Sequence, residues 1–104
     1  MSNKARYVVM EMRPEKDKRF KFLVYDRKNN EYERVKFGSK NGSTFIDHID
    51  PKKKKNYIAR HSKLNEDWTD PMTAGFWARW YLWSEPTIKE AEKLISKKFD
   101  IEFL

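Results

Sequence analysis

Hydrophobic and polar positions alternate through the first forty residues and then change period. Tyr7–Arg13 places Tyr7, Val9 and Glu11 on one side of an extended chain and Val8, Met10 and Met12 on the other, the two-residue repeat of a strand. Arg19–Asp26 alternates again, setting Phe20, Phe22 and Val24 against Arg19, Lys21, Leu23 and Tyr25. Glu31–Phe37 sets Tyr32, Arg34 and Lys36 against Glu33, Val35 and Phe37. The connections are short: a polar turn from Pro14, then Arg27–Asn30, whose Asn29 and Asn30 tolerate left-handed backbone. The pattern predicts an antiparallel meander of three strands, its half-buried face carrying Phe20, Phe22, Val24, Val35 and Phe37.

Beyond a loop at 38–44 the repeat becomes helical. Asp50-Pro51 is a helix start, because the Asp side chain can cap and proline lacks only an N–H that would go unpaired there. The helix it opens, about 51–62, lines up Tyr57, Ile58 and His61, with Leu64 continuing the stripe. Asp70-Pro71 repeats the signal before a tryptophan-rich helix reaching about Trp83. Thr87 with Glu90 forms a capping box ahead of a last helix near 88–98, where Ile88, Ala91, Ile95 and Phe99 follow helical spacing. Asp100–Leu104 is a short tail able to pack or fray. The fold class is α+β, a small antiparallel sheet followed by three helices. It forms a single domain over 1–104, with a β-rich basic part at 1–40 and a helical, aromatic-rich part at 45–104.

Composition adds one constraint. All four tryptophans fall within residues 68–83, so the third helix is aromatic around most of its circumference and has to be covered. Trp77, Trp80 and Trp83 are therefore core residues or a possible homo-oligomer interface. Only 38% of residues are hydrophobic, but 15% are aromatic, enough large rings to build one modest core in 104 residues. There is no cysteine, hence no disulfide and no thiolate metal site. No stretch approaches the ~20 apolar residues of a membrane span, and the opening MSNKARYVVMEM has no apolar leader core. A soluble intracellular protein, neither secreted nor membrane-bound, is the expectation.

Charge points to a partner. The net +7 divides into +6 over residues 1–40, +4 over 41–64 and −3 over 65–104. A basic surface on the first two-thirds suits an anionic partner, nucleic acid above all. Lys52, Lys53, Lys54 and Lys55 occupy the first turn of a helix, where cations oppose the helix dipole, and phosphate contact would explain the placement. Arg19, Lys21, Arg34 and Lys36 share a predicted sheet face with Tyr25 and Tyr32, the mixture that single-stranded binders use. His48, Asp50 and His61 are suitable ligand types for a divalent ion, but their spacing matches no established site and Asp50 already serves as a cap. Arg60 and Arg79 stand among aromatics and can stack on a ring or pair with Asp67 or Asp70. With no catalytic motif, no metal and no cofactor are expected, nor a small-molecule substrate.

The blocks K-F-G, F-I-D-H-I-D, Y-I-A-R-H, W-T-D-P-M-T-A-G-F-W-A-R-W-Y-L-W and P-T-I-K, spread over Lys36–Phe99, resemble a group of small uncharacterised proteins of nucleocytoplasmic large DNA viruses, phycodnavirus-, mimivirus- and marseillevirus-like. The resemblance implies a viral protein made in the host cytoplasm or nucleus during infection, and packaged in the virion in one version of that role. It implies no activity. Its polar positions here are His48, Asp50, Arg60, His61 and Arg79, which can form a buried polar network. Gly75 would let a neighbour approach the tryptophan helix closely. The resulting expectation is a non-enzymatic basic accessory protein that binds nucleic acid through phosphates with little sequence specificity. The alternatives are a structural protein of the particle with an aromatic interface and, third, a metal-dependent nuclease on His48, Asp50 and His61.

Overall fold

A computed structural model describes residues 4–104. The three strands form as their alternation requires: β1 (Tyr7–Met12), β2 (Lys18–Asp26) and β3 (Glu31–Ser39). β1 pairs antiparallel with β2, Val9 opposite Val24, and β2 pairs antiparallel with β3, Phe22 opposite Val35. This register gathers Val9, Phe22, Val24, Val35 and Phe37 on one buried face, with Phe20 packed at its margin. Asn30 takes the left-handed conformation in the β2–β3 turn, with φ 53°.

The sheet has a fourth member. The tail predicted only to pack or fray forms β4 (Ile101–Phe103), parallel to β1, so the order is β3-β2-β1-β4 and the sheet is mixed. Three residues carry too little alternation to announce a strand, and the partner lies at the other end of the chain.

Four α-helices follow β3: α1 (Phe45–His48), α2 (Pro51–His61), α3 (Ala74–Trp77) and α4 (Ile88–Phe99). The unpredicted α1 is one turn, held by Asp47, whose carboxylate accepts from the N–H and hydroxyl of Thr44 at 2.8 and 2.9 Å. Asp50 caps α2 and Thr87 caps α4 as their sequences suggest. The tryptophan helix departs from expectation at both ends. It begins after Thr73, three residues late: the Thr73 hydroxyl accepts from the Phe76 N–H and caps it, while the Pro71 carbonyl accepts from the buried Trp77 indole at 2.7 Å. Asp70 instead closes a turn onto the Met72 N–H. Beyond Trp77 the helix widens into a π-helical segment, Ala78–Leu82. The wider turn brings Trp77, Tyr81 and Leu82 all to the buried side.

The core is aromatic. Phe22 meets Trp77 and Tyr81 edge-on at 4.9 and 5.1 Å between centroids, and Phe37 meets Phe22 at 5.0 Å. Edge-to-face rings at this spacing add to the burial of their area. Ala91 and Ile95 of α4 are fully buried, and the Tyr81 hydroxyl donates to Glu92 at 2.9 Å. Gly38, with φ +79°, takes a backbone that disfavours side chains, and a Cβ there would sit 3.2 Å from Leu82. Two ion pairs tie the margins. Arg6 grips the buried Asp26 through two 3.0 Å bonds, and Arg19 grips Asp47 at 2.7 and 3.1 Å.

Candidate nucleic-acid interface

The helix α2 docks through one side only. Tyr57 is buried, Lys54, Ile58 and His61 are half-buried, while Lys52, Lys53, Lys55, Asn56, Ala59 and Arg60 face outward. Leu64, predicted to extend the apolar stripe, lies past the helix end and is exposed. The docking is aromatic: Tyr57 lies between the rings of Trp83 and His61, at 4.4 and 4.0 Å. Lys54 adds a hydrogen bond to the Ser84 carbonyl at 2.6 Å and sits 4.8 Å from the centre of the Phe45 ring.

The four consecutive lysines therefore divide. Lys54 is a docking residue. Lys52, Lys53 and Lys55 are exposed, and with Arg60 they have no carboxylate partner among the described residues. No acidic residue occurs between Asp50 and Glu66, so the outward flank of α2 is uniformly cationic. Beside it is a groove of about 570 Å³, lined by His48, Lys53, Asn56, Arg60 and Trp83 among others, without an acid.

The sheet cations also divide. Arg19 turns to α1 and is engaged by Asp47, whose carboxyl it holds down at about 2, so it belongs to the scaffold. Lys21 and Lys36 flank Glu15 at 3.1 and 3.9 Å, and Arg34 has no carboxylate partner among the described residues. Lys21, Arg34 and Lys36 lie on the sheet face away from the helices, with Tyr25 and Tyr32.

The polar positions His48, Asp50, Arg60, His61 and Arg79 do not join into one network. His48 Nδ1 accepts from the Asp50 N–H at 3.0 Å, which puts the ring proton on Nε2, buried without an acceptor. His61 pairs with Glu66 at 3.1 Å; Glu66 also accepts from the Trp68 indole, and the Trp68 carbonyl accepts from Trp80. Arg79 stands apart over the rings of Trp80 and Trp68, 4.2 and 5.4 Å from their centres, and pairs with neither Asp67 nor Asp70. Burial pushes the Tyr57 phenol up and the Arg79 guanidinium down. His48, Asp50 and His61 thus face different partners, and no three such ligands converge among the described residues.

Glu66 is the residue that sequence reasoning missed, although its five-residue offset from His61 places it just past the helix end. Gly75 makes room for it, since a Cβ there would lie 3.3 Å from the Glu66 side chain. The interface expectation for the tryptophans also changes. Trp77 is wholly buried against Phe22 and Phe37 and has no surface to offer a partner. Trp80 and Trp83 are half-buried and packed on the same core. Among the described residues, no helix is long and apolar enough to cross a membrane.

An α+β domain with a cationic helix flank and an open, partly basic sheet face is thus the class of protein at hand. A family model described as a family of unknown function (DUF5754) matches residues 8–61, just over half of the chain, and the chain belongs to that family. The matched span runs from β1 to the end of α2 and holds the cations of both surfaces. No curated protein and no solved structure matches.

Proposed function

We propose that this protein is a non-enzymatic nucleic-acid-binding protein that grips the phosphate backbone with little sequence preference. The observation that carries this reading is the outward flank of α2, where Lys52, Lys53, Lys55 and Arg60 stand exposed and unpaired. Cations held apart from carboxylates keep their full attraction for an external polyanion, and each neutralised phosphate releases counterions. Tyr57 and Lys54 dock the helix on the core, so these side chains are kept on its outward side. The likeness of Lys36–Phe99 to proteins of large DNA viruses makes a viral genome the partner we favour.

The test is binding to a fluorescent duplex across a salt series. The affinity of the unaltered protein falls with salt, with a logarithmic slope of about −0.9 for each phosphate contacted. Replacing Lys52, Lys53 and Lys55 together by Gln flattens that slope by about two to three contacts. An unchanged slope would remove α2 from the interface. Lys54 is left in place because its loss would disturb the docking of the helix.

A further inference from the structure

The helices cover one face of the sheet and leave the other open. Register places three rows on the open face: Val8–Tyr25–Tyr32, Met10–Leu23–Arg34 and Met12–Lys21–Lys36. Tyr32 is 65% exposed and Met10 44%. Tyr25 and Tyr32 lie side by side, centroids 4.6 Å apart and planes 32° inclined. Tyr25 is fixed by its hydroxyl, which donates to Asn30 at 2.8 Å. One end of the face is thus a pair of ordered aromatic rings beside a shallow apolar depression that reaches Met10 and Leu23, and the other end is cationic.

Two occupants fit an apolar sheet face in general, a second copy of the chain or a ligand with its own flat rings. Charge decides between them. Face-to-face pairing of two copies with like rows together would bring Lys21, Arg34 and Lys36 of each against the same residues of the other, with Glu15 the carboxylate paired to two of them. Like charges brought together cost affinity. A polyanion meets the cationic row favourably, and an aromatic ring meets unpaired bases favourably. A duplex cannot use such a platform, because its bases are already stacked.

We infer that the open sheet face binds single-stranded nucleic acid, bases stacking on Tyr32 and Tyr25 while Arg34 and the more exposed Lys36 follow the phosphates. This rests on the proposed function and narrows its substrate class: α2 supplies phosphate contact with any nucleic acid, and the sheet adds a preference for unpaired strands.

The experiment compares three fluorescent probes at one salt concentration: a ten-nucleotide oligothymidine, an abasic strand with the same number of phosphates, and a ten-base-pair hairpin. The oligothymidine is expected to bind about tenfold or more tighter than the abasic strand, the scale of one stacked base. Tyr32→Ala removes that advantage and leaves hairpin binding unchanged, while Tyr32→Phe keeps it. Arg34→Gln weakens both single strands about equally. If oligothymidine and the abasic strand bind alike and Tyr32→Ala changes nothing, the sheet is not a stacking platform, although backbone binding by α2 stands. Should light scattering show a dimer that Tyr32→Ala dissociates, the occupant is a second copy and the inference fails. No binding to any probe at low salt would overturn the proposed function along with it.

Discussion

The ring of Tyr57 lies flat against the indole of Trp83, with centroids 4.4 Å apart and planes inclined by 6°. Through this contact the cationic helix is joined to the tryptophan-rich core. The Tyr57 hydroxyl has no hydrogen-bond partner and burial raises its pKa. Tyr57→Phe keeps the stack and removes an unsatisfied polar group. It should leave stability unchanged or raise it by ~1 kcal/mol, whereas Tyr57→Ala should lose about 3–5 kcal/mol. Urea titrations would show this, and a clear loss in Tyr57→Phe would mean that the hydroxyl is bonded after all.

The lysine run offers an internal control. Lys54 donates to the Ser84 carbonyl and lies over Phe45, while Lys52 and Lys55 are exposed. Lys54→Ala should cost about 1–2 kcal/mol, and the same change at Lys52 or Lys55 should stay within about 0.5 kcal/mol. Equal effects at all three positions would refute the division of roles.

Ile49 sits between α1 and α2 with φ 53°, a left-handed backbone that β-branched residues avoid, and the residue is 53% exposed. The bond from the Asp50 N–H to His48 spans it and holds the turn. Ile49→Asn should therefore stabilise by about 1 kcal/mol, a rise in Tm of roughly 4–8 °C. An unchanged or lower Tm would show that Ile49 contributes contacts that offset its strain.

Acid should loosen the contact between sheet and α1. Arg19 holds the Asp47 carboxyl at about 2, against an ordinary 3.8. The folded form binds this proton more weakly than the unfolded chain does. The stability Asp47 contributes is thus complete above 3.8 and is lost as pH falls toward 2. Asp47→Asn should start less stable at pH 5 and lose less between pH 4 and pH 2, as followed by denaturation midpoints. Parallel acid profiles for the two proteins would contradict the assignment. Asp26, which Arg6 also lowers, contributes its own acid loss to both.

These residues also mark what could be read from the chain beforehand. The meander and the helices at 51–61 and 88–99 were legible because each carries many residues of one period, and each of the two helices an explicit cap as well. The one-turn α1 had a signal, the Thr44–Asp47 capping spacing, but no apolar repeat to accompany it. The late start of α3 follows from a choice between two local caps, Asp70 closing a turn onto Met72 and Thr73 capping the helix, and the sequence offers both. At the site, residue type identified the cations, and geometry alone distinguished Arg19 and Lys54, held by partners, from Lys52, Lys53 and Lys55. A run of lysines says how much charge is present and nothing of which way each side chain turns.

The pairing of β4 with β1 has a consequence for how the molecule is made. A hydrogen bond from the Arg6 N–H to Asp100 spans 94 positions of the chain. Ribosomes add roughly 5–20 residues per second, so β1 waits on the order of 5–20 s for its parallel neighbour. Through that interval one edge of β1 remains an open template for any other strand. Until β4 emerges and covers that edge, the nascent chain is where a chaperone would find this protein most exposed.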